Sequence, residues 1–113
     1  GATGLVNALD EATGAVVWQR NAATEAGVKV PTWGFSSSPL VVGDVVIVAA
    51  AGRLVAYGAA KGEPRWMGPD RGGSYSSPQR WVSGGIEQVV LLPAALAQLI
   101  KRVRNADKRA LLL

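Results

Sequence analysis

An acid, a hydroxyl and a tryptophan are grouped around a glycine near the start of the sequence. Asp10, Thr13 and Trp18 flank Gly14, and Asp and Gly at this spacing favour a tight turn. A carboxylate beside a hydroxyl and an indole is a combination that binding sites use. This group is therefore the first candidate for a functional site.

The same stretch returns 48 residues later, and the comparison changes its interpretation. In the second copy Asp10 is replaced by Gly58 and Thr13 by Lys61. What recurs is alanine, glycine and tryptophan, which are residues of packing rather than of reaction chemistry. We therefore interpret the stretch as a structural docking motif. Its predicted members are Ala8, Asp10, Gly14, Trp18, Ala56, Gly62 and Trp66.

Two serine-rich segments could in principle supply a nucleophile. Ser37-Ser38-Pro39 returns as Ser76-Ser77-Pro78 at an offset of 39 residues. A catalytic serine is needed once and beside a base, whereas a structural turn is needed in every repeat. The chain contains neither His nor Cys, which excludes the Ser-His-Asp triad, imidazole bases and thiolate metal sites. The serines are predicted to be structural.

The acidic residues do not converge on a metal site. Calcium takes six to eight oxygen ligands, and the acids here are scattered along the chain. Asp44 and Asp70 stand beside Gly or Pro in turn contexts, so we expect them to be exposed turn residues. The sequence predicts no catalytic, cofactor-binding or metal-binding residue, and no cofactor.

The net charge of +4 is confined to the end of the chain. Residues 1–92 carry seven basic and seven acidic side chains, while residues 93–113 carry five basic and one acidic. The neutral repeat region argues against nucleic-acid binding. Residues 93–113 place Leu96, Leu99, Ile100 and Val103 on one helical face, which predicts a helical or disordered basic amphipathic tail. No apolar run reaches the ~18 residues of a membrane span.

The rest of the sequence reads as short strands and turns. β-prone runs precede and follow the turn at Asp10–Gly14, which predicts a hairpin. A second hairpin is predicted across Gly43-Asp44, with its Val-rich second strand buried on both faces. The polar segment 21–33 is predicted to be a surface loop. The first copy is nine residues longer than the second in this loop, where insertions are tolerated.

Each copy holds about four β-prone runs in a period of 48 residues, the size of one propeller blade. We therefore predict an all-β fold of two four-stranded antiparallel blades, about 4–50 and 52–92, forming a repeat domain over residues 1–92. Trp18 and Trp66 would fill the gaps between adjacent blades. The glycines would let one backbone approach the next ring.

The motif Ala8-x-Asp10-x-x-x-Gly14-x-x-x-Trp18, with its copy ending at Trp66, resembles the tryptophan-docking motif of the pyrroloquinoline-quinone (PQQ)-type repeat. That family includes quinoprotein alcohol dehydrogenases and BamB-like outer-membrane assembly lipoproteins. The resemblance covers roughly residues 4–92. It implies a β-propeller and a periplasmic or otherwise extracytoplasmic location. Gly58 departs from the motif, because it offers no carboxylate to the turn amides.

Two functions are compatible with this resemblance. The first is a non-catalytic repeat module that acts as a protein-binding or scaffolding surface, with residues 21–33 as the contact element. The second is part of a PQQ-dependent dehydrogenase whose active site lies outside this chain; the vicinal disulfide that such enzymes often carry cannot form without Cys. We expect the first, and not an enzyme. We further expect a fragment of a larger repeat protein, whose other blades are partners and which self-associates in isolation.

Overall fold

A computed structural model describes residues 2–70, 72–91, 99–103 and 110–112 of the 113-residue chain. The described part contains ten strands and one short helix. In chain order they are β1 Leu5–Leu9, β2 Val16–Asn21, α1 Ala22–Ala26, β3 Leu40–Val42, β4 Val45–Ala50, β5 Arg53–Gly58, β6 Pro64–Met67, β7 Gln79–Ser83, β8 Ile86–Leu91, β9 Leu99–Val103 and β10 Ala110–Leu112.

The strands form three antiparallel sheets. Sheet A is the hairpin β1-β2, sheet B has the order β3-β4-β5-β6, and sheet C has the order β10-β9-β8-β7. The two predicted hairpins, β1-β2 and β3-β4, are confirmed by the strand registers. The chain is all-β with antiparallel sheets, as the sequence predicts.

The sheets are offset from the sequence copies by half a repeat. Sheet B takes β3 and β4 from the first copy and β5 and β6 from the second, so it crosses the junction between 4–50 and 52–92. The reason lies at Ala51-Gly52, where both residues have positive φ and turn β4 directly onto β5. Such a two-residue turn makes consecutive strands pair locally. Each copy of the sequence therefore contributes two strands to one sheet and two strands to the next.

Sheet B is the centre of the stack, because it packs on both of its faces. Alternation along β4 sends Val45, Ile47 and Ala49 into one apolar cluster with β8. It sends Val48 and Ala50 into a second cluster with sheet A and α1. The β-branched run of β4 is thus buried on both faces, and the prediction is confirmed.

The surface-loop prediction for residues 21–33 is wrong at its start, where α1 spans Ala22–Ala26. The Asn21 side chain accepts from the Thr24 N–H at 3.0 Å, and Gly27 ends the helix in the left-handed region with φ of 65°. These are the usual N-cap and C-terminal residues of a helix. Ala22 and Ala26 pack against sheet B, and that burial stabilises a helix too short to form alone.

Residues 93–113 are predicted to be a helical or disordered tail, and within them the structure describes two strands, β9 at Leu99–Val103 and β10 at Ala110–Leu112. β9 pairs with β8 from Leu91↔Leu99 to Glu87↔Val103. The open backbone edge of β8 favours a paired strand over the helix that the apolar spacing alone suggests. The rest of this predicted tail lies outside the described residues. No helix of the described chain is long and apolar enough to cross a membrane.

Candidate functional site

Trp18 lies at the joint between sheet A and sheet B. β2 directs its indole into the gap, where the ring is only 8 % exposed. Its Nε1–H donates to the backbone oxygen of Ala59 at 2.8 Å, in the turn after β5. A ring that is buried and hydrogen-bonded at its polar atom fixes the angle between the sheets as well as their distance. The bond joins the first sequence copy to the second.

Gly62 provides the surface on which the Trp18 ring lies. A Cβ placed on Gly62 would meet the ring at 2.5 Å, and the residue has φ of 70°. Glycine is therefore required twice, for its backbone conformation and for the close approach. The equivalent Gly14 has nearly the same φ of 72° but no described atom within 4 Å of such a Cβ. Gly14 shapes its turn without receiving a ring.

Asp10 closes its own turn and does not face the joint. Its Oδ1 accepts from the Thr13 N–H and the Thr13 hydroxyl, both at 2.8 Å, and from the Ala12 N–H at 3.1 Å. These donors, with the Thr13 hydroxyl contributing most, lower the pKa of the Asp10 carboxyl. The Oδ1 atom of Asp10 is therefore engaged within its own turn.

The second turn keeps the same backbone frame without this carboxylate. The Gly62 N–H donates to Gly58 O and the Gly58 N–H donates to Glu63 O, both at 2.8 Å, matching the bonds at Asp10. The Glu63 carboxylate lies where a Cβ on Gly58 would be. Arg65 pairs with it at 2.7 Å. The acid that follows the turn thus lies against Gly58, where the absence of a side chain leaves room for it.

We expect Asp10→Asn to change the acid dependence of stability. Because folding lowers the pKa of Asp10, its contribution is present above the unfolded value of about 4 and is lost as the pH falls through the folded value. The difference in melting temperature between wild type and Asp10→Asn should therefore shrink between about pH 6 and pH 2. Thr13→Val removes the donor that contributes most to the lowered pKa of Asp10. The stability of this variant should therefore depend less on pH over the same range than the stability of wild type does. A difference in melting temperature that does not change with pH would contradict the lowered pKa of Asp10.

Trp66 holds the corresponding place between sheet B and sheet C, although it is only partly buried. Ala56, paired with it across β5 and β6, is fully buried in the same cluster. Ala8 is paired with Trp18 in the same way and packs in the sheet A cluster. The small alanines thus leave room for the rings at both joints.

A polar cluster that the sequence analysis missed lies beside Trp18. The fully buried Tyr57 donates its hydroxyl to Glu25 Oε2 at 2.9 Å, and Glu25 pairs with Arg20 at 3.1 Å. The Arg20 guanidinium also lies 5.7 Å from the centre of the Tyr57 ring, within the range of a cation–π contact. Burial, followed by the hydrogen bond to Glu25, raises the pKa of the Tyr57 hydroxyl. The cluster ties β2 and α1 to β5.

The Tyr57→Phe variant should lose about 1–2 kcal/mol of unfolding free energy at neutral pH, because a hydrogen bond to a charged acceptor disappears. Since folding raises the pKa of Tyr57, this advantage of wild type is present below the unfolded value of about 10 and is lost above it. Urea denaturation at several alkaline pH values measures the effect. In the Tyr75→Phe background, absorbance at alkaline pH reports on Tyr57 alone; ionisation well before unfolding would contradict the buried bond.

Arg53 makes a second link to the helix. Its Nη1 donates to Ala26 O at 2.8 Å and its Nε donates to Gly68 O at 2.7 Å. A cation at the last carbonyls of a helix satisfies acceptors that have no partner within it. Residues 21–27, which lie in the loop where the first copy is nine residues longer, are therefore held to sheet B by two separate contacts.

The serine segments bond to backbone and to each other. The Ser37 hydroxyl donates to Ala49 O at 2.9 Å, and the Ser38 N–H donates to Ser77 Oγ at 2.8 Å. Ser38 and Ser77 are equivalent positions of the two copies. Recurrent serines thus connect the segments that lead into β3 and β7.

The described residues offer no metal centre, since no group of three acidic side chains converges among them. Asp44 and Asp70 are exposed, as predicted. Asp70 accepts from the Gly72 N–H at 3.0 Å, and Asp44 faces Arg65 at 3.4 Å. Both acids therefore take part in local turn contacts.

A comparison with protein families matches residues 2–91 to the PQQ repeat family described as outer membrane protein assembly factor BamB. No curated protein matches the chain. The match covers the Trp18 joint, the serine segments and the strands of sheets A and B. The chain belongs to this BamB-like PQQ repeat family.

Proposed function

We propose that the chain is a non-catalytic β-propeller repeat module that presents a binding or scaffolding surface to other proteins. The observation that carries the proposal is that side chains capable of chemistry are engaged in hydrogen bonds within the fold. The Trp18 N–H, the Asp10 carboxylate and the Ser37 hydroxyl all bond within the fold. Membership of the BamB-like family supports protein partners. It also supports an extracytoplasmic, periplasmic location as part of the same proposal.

The exposed aromatic residues are the part of the surface best suited to a protein partner. Trp33 is 84 % exposed and Trp81 is 60 % exposed. Tryptophan is among the residues that dominate binding energy at interfaces. Trp33 ends the segment 21–33, which supports that segment as the contact element.

The second candidate, part of a PQQ-dependent dehydrogenase, is tested directly by titration with PQQ and Ca²⁺. We expect no saturable change in tryptophan fluorescence. Saturable quenching that requires both ligands would overturn the non-catalytic proposal. Buffer matched for Ca²⁺ without the quinone serves as the control.

The isolated chain should self-associate, because sheets A and C carry exposed apolar side chains. Leu9 and Val17 are exposed on sheet A, and Trp81 and Val82 on sheet C. Sedimentation velocity over a range of protein concentrations should show species larger than a monomer that dissociate on dilution. A compact monomer at all concentrations would contradict this prediction.

A further inference from the structure

Two connecting segments meet at one end of sheet B. Residues 27–39 lead from α1 to β3, and residues 68–78 lead from β6 to β7. Arg53, the first residue of β5, donates to the last residue of α1 and to the first residue of the second segment. The two segments also contact each other, because the Ser36 hydroxyl donates to Tyr75 O at 3.4 Å. We call the surface formed by these two segments the loop end.

The loop end displays large apolar side chains. Val30, Trp33 and Tyr75 are all exposed there. The Gly34 N–H donates to Pro31 O at 2.8 Å, so Trp33 is the third residue of a hydrogen-bonded turn. This turn holds the backbone that carries the ring, which lowers the conformational entropy that is lost when a partner binds the ring.

The position of Trp33 is also open in the second copy, where the preceding sheet is complete. At the offset of 39 residues, Trp33 corresponds to Gly72. Gly72 follows sheet B, which has all four of its strands, and no described atom lies within 4 Å of a Cβ placed on this glycine. The exposure of this position therefore belongs to the repeat and does not depend on the two-stranded form of sheet A.

The loop end differs in charge from the opposite end of the sheets. Among the described residues of the chain, Lys29 forms no ion pair, and Arg53 donates to carbonyl oxygens. Asp70 is an acid of the loop end, and it already accepts from a backbone N–H. The opposite end, which we call the turn end, carries more acids than bases: Asp10, Glu11, Asp44 and Glu63 against Lys61 and Arg65. An acidic partner is therefore attracted to the loop end and repelled from the turn end.

A membrane surface fits the loop end less well than a protein does. Recognition of anionic lipids commonly takes about four to eight clustered Lys or Arg side chains, whereas the described part of the loop end offers Lys29 and, beneath it, Arg53. An exposed tryptophan with few charges around it is instead typical of protein interfaces. There an aromatic anchor supplies much of the binding energy and charges at the rim select the partner.

We propose that the loop end binds an acidic segment of a partner protein, in which an apolar or aromatic side chain packs on Trp33 and the carboxylates lie near Lys29. This inference rests on the proposed protein-binding function and specifies the chemistry of the partner. The Trp33 ring provides most of the affinity. The positive charge of Lys29 and Arg53 selects an acidic sequence over a basic one.

A phage-displayed library of random peptides, selected on the immobilised intact protein, is the probe. An excess of the Trp33→Ala variant in solution removes peptides that bind elsewhere on the surface. We expect the remaining peptides to combine acidic residues with a leucine or an aromatic residue. Enrichment of basic or uncharged sequences, or of no sequence at all, would overturn the proposal.

Two matched pairs of variants then locate the site with a synthetic copy of an enriched peptide. Trp33→Ala should raise the Kd roughly tenfold or more, whereas Trp81→Ala, at another exposed tryptophan, should change it less than about twofold. At low salt Lys29→Glu should raise the Kd about fivefold or more, and Lys61→Glu, the same charge change at the turn end, less than about twofold. An unchanged circular dichroism melt verifies the folding of each variant. Equal effects within either pair would overturn the assignment to the loop end.

Cosedimentation with phosphatidylglycerol vesicles tests the membrane alternative, with phosphatidylcholine vesicles as the control. We expect no binding to either. Binding to the anionic vesicles that Trp33→Ala abolishes would assign the loop end to a lipid surface and overturn the protein partner. None of these outcomes depends on the PQQ titration, so failure of the acidic partner is distinguished from failure of the non-catalytic function.

Discussion

Replacing Trp18 with alanine should lower the free energy of unfolding by about 3–5 kcal/mol, the cost of truncating a large aromatic residue in a packed site. The ring fills the gap between sheets A and B, lies 6.1 Å from the Tyr57 ring and donates to Ala59 O. Removing it leaves a cavity and an unsatisfied carbonyl together. Urea denaturation followed by circular dichroism measures the loss, since tryptophan fluorescence changes with the mutation.

Three companion variants separate the contributions. Trp33→Ala removes a ring that is almost fully exposed and should change stability by no more than about 0.5 kcal/mol. Trp18→Phe keeps most of the burial but loses the hydrogen bond, so its cost should be intermediate. Trp66→Ala should cost less than Trp18→Ala, because Trp66 is only partly buried. Equal effects for Trp18→Ala and Trp33→Ala would show that the Trp18 ring is not a packing element.

The sequence predicts the hairpins and the strands of the central sheet because these depend on local rules that the two copies repeat. Gly43 has φ of 58° at the turn between β3 and β4, and the alternation along β4 matches burial on two faces. Each of these features is visible within a few residues. Agreement between two copies then separates positions with a packing role from those that vary.

What could not be predicted depends on contacts between the copies or on residues without a counterpart. The Arg20–Glu25–Tyr57 cluster joins the first copy to the second, and Glu25 lies in the loop where the second copy is nine residues shorter. Tyr57 itself corresponds to Leu9, so no recurrence identifies it. The available signal for α1 was Asn21, a favoured N-cap residue, followed six residues later by Gly27, a favoured residue at the end of a helix. The strands β9 and β10 pair onto the edge of β8 in succession. The local spacing of apolar residues does not predict this pairing.

Gly62→Ala and Gly14→Ala form a matched pair that isolates the contact with Trp18. Both glycines have φ near 70°, so both substitutions place a Cβ in the left-handed region, at a cost of about 1–2 kcal/mol. Only the Cβ on Gly62 would also meet the Trp18 ring. Overpacking of this kind adds about 1–3 kcal/mol. We therefore expect Gly62→Ala to be the more destabilising by that second amount.

The double variant Trp18→Ala with Gly62→Ala decides whether the difference arises from the ring. Without the indole the added methyl group meets no obstacle, so the second substitution should cost only what Gly14→Ala costs. Folding free energies of the four proteins in this cycle should thus be non-additive by about 1–3 kcal/mol. Additive effects would place the cost of Gly62→Ala in its backbone alone. In that case the turn would tolerate a side chain beneath the ring, and Trp18 would be held by its bond to Ala59 rather than by close contact with Gly62.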